Sequence, residues 1–336
     1  MNYCGIDLAS KASALCVMDE TGAILWEEEI ATDTDGLRTR LGGAERLKCV
    51  VEASPLAEWT AQTLEELGHE AVIIDARRAK ALVCTKKKTD RINARDLANM
   101  ARTGWYTAVH RKSAMARELR TYLTARAGLV ETSTALNAQI RGLLRAHGIK
   151  LGKVAERDFE GKVQRLIQER VPALAGALSP LLALWRQAID AAKTLNKAIA
   201  IRAKQDAVGR RLMSVPGIGP LTAAAYQATI DDPSRFRRSA QVGAYLGLVP
   251  SVYQSGDIDY RGRITKEGDR LLRWLLVEAA HNLLSHTQRD CALKRWGERL
   301  EAQKGTGKAR VAVARKLAVI LHRLWLTGET FDWQRA

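Results

Sequence analysis

Short apolar runs separated by polar turns dominate the first quarter of the chain, and this pattern predicts strands rather than helices. Five runs predict strands at residues 2–8, 14–18, 23–26, 47–52 and 71–74. Asp19 and Gly22 supply the chemistry of a tight turn between the second and third strands. The last run is apolar without interruption, so we expect that strand to be buried on both faces.

Helical signals fill the gaps between these strands. Thr32 and Asp33 can cap a helix that runs to about Leu41. Ser54-Pro55 starts another helix, which Gly68 ends, and a further helix is expected to begin at Asp90. The resulting order, β-β-β-α-β-α-β-α, is that of an RNase H-like fold, an α/β unit built on a mixed sheet.

After residue 103 the pattern becomes helical. Regularly placed leucines and distributed arginines predict one long helix over residues 113–147, and a second is expected over 180–207, after Ser179-Pro180. Two long helices indicate a coiled-coil arm or an antiparallel hairpin. Residues 151–175 stay open between helix and loop.

From residue 208 onward a mainly helical region is predicted. It begins with a short helix, a glycine hairpin at 216–219 and a following helix, which together have the form of a helix-hairpin-helix. Another short helix within 236–249, a polar loop from Pro250 to Gly268, and helices at about 269–286 and 309–326 complete it. We therefore divide the chain into three domains, at residues 1–108, 109–207 and 208–336.

The net charge of +16 is high and unevenly distributed. Residues 1–85 carry 8 Lys and Arg against 15 Asp and Glu, a net charge of −7, and residues 86–336 carry 45 against 22, a net charge of +23. Solubility alone does not need so large a charge. An acidic region joined to a strongly basic one predicts a polyanionic partner for the basic part.

The cysteines form neither a Cys-x-x-Cys pair nor a zinc-binding spacing with histidine. Most lie in or beside apolar runs, so we expect buried free thiols in a reducing cytoplasm. They are Cys4, Cys16, Cys49, Cys84 and Cys291. A signal peptide and an apolar run of about 18 residues are both absent from the sequence, so we expect a cytoplasmic protein without a membrane span.

Three acids stand at the ends of predicted elements: Asp7 and Glu52 after strands, and Asp90 at the start of a helix. One such acid is usually a turn or cap residue, but three in this element order indicate a metal site. Mg²⁺ takes hard oxygen ligands and keeps positions open for phosphate. A helical partner for Asp90 is expected three or four residues on, where the chain has the uncharged Asn93, so we expect weaker Mg²⁺ binding.

Two further motifs carry candidate chemistry for a phosphodiester. Gly217 and Gly219 precede a helix whose N–H groups can bind phosphate, although a simple helix–helix turn is an equal alternative. Ser255 precedes Gly256 in a polar loop bordered by cations, where a hydroxyl is accessible for nucleophilic attack. An isolated Ser-Gly is far more often a solvated turn.

Basic side chains and the two hairpin glycines make up the predicted nucleic-acid contacts. They are Lys86, Lys87, Lys88, Arg120, Arg126, Arg141, Arg145, Gly217, Gly219, Arg261, Arg263, Lys266, Lys308 and Arg310. The C-terminal cations alternate with apolar residues, so their helix presents either a phosphate-binding face or only a solvated one.

In combination these motifs resemble the DEDD-type transposases of insertion sequences, which join an N-terminal RuvC-like domain to a C-terminal serine-bearing transposase domain and act as bridge-RNA-guided recombinases. The resemblance covers about residues 2–326. It rests on Gly5-Ile6-Asp7, Val51-Glu52-Ala53-Ser54, the run from Lys88 through Asp90 and Asn93 to Ala98, Val215-Pro216-Gly217-Ile218-Gly219, and Gly247-Leu248-Val249-Pro250 with Ser255-Gly256.

The resemblance implies that Asp7, Glu52 and Asp90 are three of four metal-binding acids, that Asn93 stands at the fourth position, and that Ser255 is the nucleophile. It implies Mg²⁺-assisted DNA strand exchange through a phosphoserine link. It also implies a structured bridge RNA that pairs with target and donor double-stranded DNA. The expected assembly is a homo-oligomer, a dimer of dimers with composite sites. Asn93 leaves open a tolerated variant, a decayed copy or an introduced inactivating change.

Three other classes of protein are alternatives to a transposase. A hydrolytic RuvC-like nuclease would attack with water and form no covalent link. The opening Gly5-Ile6-Asp7 also suits the actin and sugar-kinase ATPase fold, but phosphate-binding glycine loops do not follow at the expected strand turns. A non-enzymatic RNA-binding protein would leave the placement of the acids to chance.

Overall fold

Two units make up the chain, Met1–Lys112 and Ser113–Ala336, and each contains its own hydrophobic core. The computed structural model describes residues 1–75, 89–255 and 258–334, without the side chains of residues 258, 259 and 261. Cys84 therefore lies outside the described residues, while the other four cysteines are buried free thiols, as predicted. Among the described helices, none combines the length and hydrophobicity needed to cross a bilayer.

The N-terminal unit is built on a five-stranded mixed sheet with strand order β3-β2-β1-β4-β5. Its strands are β1 (Asn2–Asp7), β2 (Ala12–Met18), β3 (Ile24–Ala31), β4 (Leu47–Glu52) and β5 (Glu70–Ile74). Strand β2 is antiparallel to both β1 and β3, and β4 is parallel to both β1 and β5. All five predicted strands are confirmed, and their order is compatible with the RNase H-like plan.

Helices cover both faces of this sheet. They are α1 (Thr34–Leu41), α2 (Ala57–Glu66) and α3 (Asp90–Thr103). The predicted cap of α1 is confirmed, because the Asp33 carboxylate accepts a hydrogen bond from the Gly36 N–H at 2.7 Å. Leucines and alanines of α1 and α2 pack on one face of β1 and β4. The alanines of α3, with Leu97 and Met100, pack on the other face.

The contact between α3 and β1 is unusually close and depends on Gly5. A Cβ atom at Gly5 would lie 2.1 Å from the carbonyl oxygen of Ala94 and 2.2 Å from the amide nitrogen of Ala98. Both neighbours are backbone atoms, so no side-chain rotation could relieve the overlap. The glycine thus allows the backbone of α3 to lie directly on the first strand.

Long helices open the second unit: α4 (Ala114–Ala146), α5 (Glu156–Arg170) and α6 (Ala175–Gln205). Arg126 of α4 contacts Asn196 of α6, and Glu118 contacts Arg202, so α4 and α6 run antiparallel. The predicted start of α6 after Pro180 is wrong by five residues, since the helix continues through this proline. Proline leaves one helical carbonyl without its donor, and burial of Leu178, Leu182 and Trp185 offsets that loss.

The remaining helices surround the largest core. They are α7 (Ala207–Leu212), α8 (Pro220–Ile230), α9 (Ala240–Tyr245), α10 (Arg270–Ser285), α11 (Ala292–Lys304) and α12 (Thr306–Thr327). The helices predicted at about 269–286 and 309–326 are confirmed. Helix α11 was not predicted, because it buries only Leu293 and Gly297 and so has a weak apolar pattern.

The predicted loop from Pro250 to Gly268 is wrong, because most of it forms an antiparallel pair of strands. These are β6 (Pro250–Ser255) and β7 (Ile258–Ile264), with Tyr253 opposite Tyr260. Every residue of β6 is exposed. A strand exposed on both faces has no alternation of apolar and polar residues, which is the signal that predicts a strand.

We expect Gly5→Ala to displace α3 and to destabilise the N-terminal unit by more than about 3 kcal/mol. Hydrogen exchange of the α3 amides should accelerate sharply, and the melting temperature should fall. Gly43→Ala is the matched control, because no atom lies within 4 Å of its added Cβ. Equal exchange rates in the two variants would show that the close contact at Gly5 does not determine the stability of α3.

Candidate active site

Two acids end adjacent parallel strands. Ile6 of β1 pairs with Val51 of β4, so Asp7 and Glu52 follow at the same level of the sheet. Alternation along each strand places them on the side of Gly5 and Val50, which is the side covered by α3. The register therefore brings the two carboxylates to one edge and one face of the sheet.

Helix α3 brings its first turn to the same place. Asp90 is its first residue and is exposed, and Thr89 caps it by accepting a hydrogen bond from the Ile92 N–H at 3.3 Å. One turn further on, Asn93 donates from Nδ2 to Oδ2 of Asp7 at 2.8 Å. The structure thus joins the helix to the end of β1 through a neutral amide and a carboxylate.

The acidic side chains at this edge offer ligand atoms of one chemical type. Asp7, Glu52 and Asp90 offer only oxygen, the ligand atom that Mg²⁺ prefers over nitrogen or sulfur. Within the residues described, no three His, Cys, Asp or Glu side chains are close enough to hold a metal ion. The residues fit a hard cation in type, but Asn93 presents an N–H donor toward Asp7 where a fourth carboxylate would add charge.

An ion pair between a partly exposed arginine and a largely buried glutamate fixes the rotation of α3 on the sheet. Arg95 donates from Nε and Nη2 to both carboxylate oxygens of Glu27 on β3, at 2.5 and 2.7 Å. The Glu27 side chain is only 10% exposed, and the Arg95 hydrogen bond lowers the pKa of this carboxyl below its usual value. Burial raises the pKa of Cys16, opposite Glu27 on β2, to about 12. Neither Glu27 nor Arg95 was predicted as a site residue.

Ser255 lies in the second unit, at the end of β6, where its backbone pairs with Ile258. It is exposed, as predicted for an accessible hydroxyl, but it belongs to a strand and not to a loop. Gly256 and Asp257, which follow it, lie outside the described residues.

Three predicted nucleic-acid contacts already have partners within the chain. Arg120 forms an ion pair with Asp269, the residue that caps α10. Arg126 donates to the Asn196 side-chain oxygen at 3.0 Å, and burial lowers its pKa. Arg141 donates to the Gly152 carbonyl at 2.8 Å. These arginines hold helices and loops of the second unit in place, and their contact with nucleic acid stays a prediction.

The two hairpin glycines differ in what surrounds them. Gly217 has a φ of 81°, and an added Cβ would lie 2.4 Å from the Ala279 carbonyl oxygen on α10. Packing against α10 therefore accounts for this glycine. Gly219 precedes α8, and among the described residues no atom lies within 4 Å of an added Cβ, so packing does not account for this glycine.

The other predicted contacts are basic side chains at the surface or beyond the described residues. Arg145, Arg263, Lys266 and Lys308 are exposed. Arg310 is half-buried, and its Nε has no hydrogen-bond partner in the part of the chain that the structure describes. Lys86, Lys87 and Lys88 and the side chain of Arg261 lie outside the described residues.

Comparison with known proteins identifies the class to which this arrangement belongs. A family model for the transposase DEDD domain of IS110 elements matches residues 4–149. A model of the transposase IS116/IS110/IS902 family matches residues 209–295. The chain therefore combines the two domains of an insertion-sequence transposase.

Individual relatives agree over nearly the whole length. The chain is 30% identical to the transposase for insertion sequence element IS1111A of Coxiella burnetii, over 97% of this chain and 90% of the relative. A probable family 20 transposase of Pseudomonas aeruginosa is 33% identical, over 84% and 85%. The mini-circle putative transposase for IS117 of Streptomyces coelicolor is 26% identical, over 99% and 96%. The chain belongs to the IS116/IS110/IS902 family of transposases.

We expect Glu27→Gln to destabilise the N-terminal unit by roughly 1.5–3 kcal/mol at neutral pH, the usual contribution of hydrogen bonds to a charged group. Because the folded-state pKa of Glu27 is lowered, its stabilisation is full above the unfolded-state pKa and is lost as pH falls through the folded-state value.

Melting temperatures measured from neutral to acid pH test this. The difference between wild type and Glu27→Gln should narrow toward acid pH. Glu29→Gln removes an exposed charge from the same strand and serves as the control. A difference that stays constant with pH would contradict the assigned ion pair.

Proposed function

We propose that this transposase cleaves and rejoins DNA strands through Ser255, assisted by Mg²⁺ held by Asp7, Glu52 and Asp90. The observation that carries the metal part of the proposal is the shared edge of β1 and β4, where two carboxylates meet the start of α3. Membership of a transposase family supports DNA as the substrate.

The acids and Asn93 would share the work of binding the metal. When bound, Mg²⁺ supplies positive charge that offsets the repulsion between a phosphodiester and its attacking group. Asp7 and Glu52 contribute charge from the sheet, and Asp90 contributes it from the helix. Asn93 contributes none, so the site of this chain is one charge weaker than a four-acid site.

The proposed reaction conserves phosphodiester bonds. The Ser255 Oγ forms a bond to phosphorus and loses its proton to solvent or to a base, while the bond from phosphorus to the 3′ oxygen breaks. That oxygen takes up a proton and leaves as a free 3′-hydroxyl. A 3′-hydroxyl of another strand then attacks the phosphoserine, restores the serine and joins the strands.

The partners follow from the charge and from the family. Residues 86–336 carry +23, which suits a protein that holds the backbones of several nucleic-acid strands. We propose that a structured bridge RNA pairs with target and donor DNA, and that the protein reads mainly shape and backbone. A dimer of dimers, joined through α4 and α6, would bring serines and acids of different protomers together. Leu143 and Leu184 are exposed on these helices.

Ser255→Ala should abolish the covalent protein–DNA adduct that wild-type protein forms, and should leave RNA binding unchanged. The adduct is measured as a slower band on a denaturing gel after incubation with DNA, Mg²⁺ and RNA that co-purifies with the protein. Ser251→Ala, on the same exposed strand, is the control and should keep the adduct. Mg²⁺-dependent cleavage without an adduct in the wild type would favour the hydrolytic nuclease instead.

Asn93→Asp should lower the Mg²⁺ concentration needed for half-maximal cleavage by roughly tenfold or more, because it adds a charge beside Asp7. Without Mg²⁺ the same change should lower the melting temperature, since two carboxylates replace a hydrogen-bonded pair, and Mg²⁺ should restore it.

Asn99→Asp adds the same charge elsewhere on α3, where Asn99 contacts Arg102, and should not create a Mg²⁺-dependent melting temperature. Identical Mg²⁺ responses of the Asn93→Asp and Asn99→Asp variants would show that position 93 does not face the metal.

A further inference from the structure

The strand pair β6–β7 exposes two large aromatic rings side by side. Tyr253 and Tyr260 are directly opposite in the register, so their side chains share one face of this two-stranded ribbon. Their side chains are mostly in solvent, with relative exposures of 62% and 64%. All of β6 is exposed, so no core covers either of its faces.

Exposure of this strand pair and its aromatic rings to water is unfavourable unless a ligand covers them. An isolated pair of strands is at best marginally stable in water, and exposed aromatic rings typically mark a binding site. The two tyrosine rings therefore indicate a ligand that can pack against flat aromatic faces carrying hydroxyl groups.

Ser255 lies on the same face. Side chains two residues apart on a strand point to the same side, so Tyr253 and Ser255 do so. The distance between such positions is roughly 6.8 Å along the strand, about the height of two stacked bases. Position 253 therefore lies about two base steps along the strand from the proposed nucleophile.

We propose that Tyr253 and Tyr260 form a stacking platform for a base of the DNA strand that Ser255 attacks. The inference rests on the proposed function, because it places the attacked strand at Ser255. Charge favours this occupant over a protein surface, since Arg263 and Lys266 are exposed near the base of the ribbon and the surrounding region is strongly basic. Stacking holds one base and thereby positions the adjacent phosphate at the hydroxyl.

The test measures stacking without chemistry. Full-length protein carrying Ser255→Ala is titrated with a single-stranded oligonucleotide that contains 2-aminopurine, whose fluorescence falls when the base stacks on an aromatic ring. We expect saturable quenching. Tyr253→Ala or Tyr260→Ala should weaken binding roughly 5- to 150-fold, the range for loss of one base–aromatic stack, and remove most of the quenching.

Two controls separate stacking from folding of the ribbon. Tyr253→Phe keeps the ring and should bind within about twofold of the parent. Val252→Ala truncates an equally exposed side chain on the opposite face and should change neither binding nor quenching. Unchanged quenching in both tyrosine-to-alanine variants would overturn the proposal. So would an equal loss in Val252→Ala, or an altered oligomeric state with binding intact, which would make the ribbon a protein interface.

The fluorescence test of the stacking platform can succeed or fail independently of the adduct test of the proposed reaction. Loss of quenching in the tyrosine variants supports the platform even if another residue proves to be the nucleophile. A covalent adduct that depends on Ser255, together with quenching that ignores both tyrosines, would keep the reaction and remove the platform.

Discussion

The backbone of α3 lies directly on β1 because Gly5 has no side chain, and the candidate metal site depends on this contact. The sheet register places the acids Asp7 and Glu52 at one edge. Asn93 reaches Asp7 only if the helix approaches the sheet closely. The Arg95–Glu27 ion pair then fixes the rotation of the helix about its axis. Gly5 sets how closely α3 approaches the sheet, and the Arg95–Glu27 ion pair sets the rotation of α3. A change at either contact therefore moves Asp90 and Asn93.

The Asn93–Asp7 hydrogen bond gives this site a particular electrostatic balance. An amide beside a carboxylate is stable without a cation, whereas two carboxylates at that separation need a proton or a metal ion between them. If the site binds Mg²⁺, as proposed, this hydrogen bond would keep Asp7 in place at low Mg²⁺ and would also compete with the ion for Asp7. The lower need for Mg²⁺ and the weaker binding of Mg²⁺ would then have the same cause.

Most of the sheet could be predicted because its strands are buried on at least one face. Val50 and Val51 are fully buried, and the acids that end such strands follow from counting along them. The ribbon could not be predicted, because Tyr253 and its neighbours are exposed on both faces and leave no periodic signal. The partners of Arg120, Arg126 and Arg141 also escaped prediction. A cation that pairs with a distant carboxylate or carbonyl has the same sequence signature as one that binds phosphate.

Ser255, the proposed nucleophile, needs a group that activates its hydroxyl. A serine hydroxyl needs a base or a nearby positive charge to become a good nucleophile, and Ser255 is exposed at the end of β6. If Ser255 is the nucleophile, as proposed, groups that arrive with the assembled substrate would supply this activation. A stacking platform fits this requirement, because it would hold the scissile phosphate at the hydroxyl until those groups are in place. If both proposals hold, cleavage would depend on assembly of the substrate on the exposed ribbon.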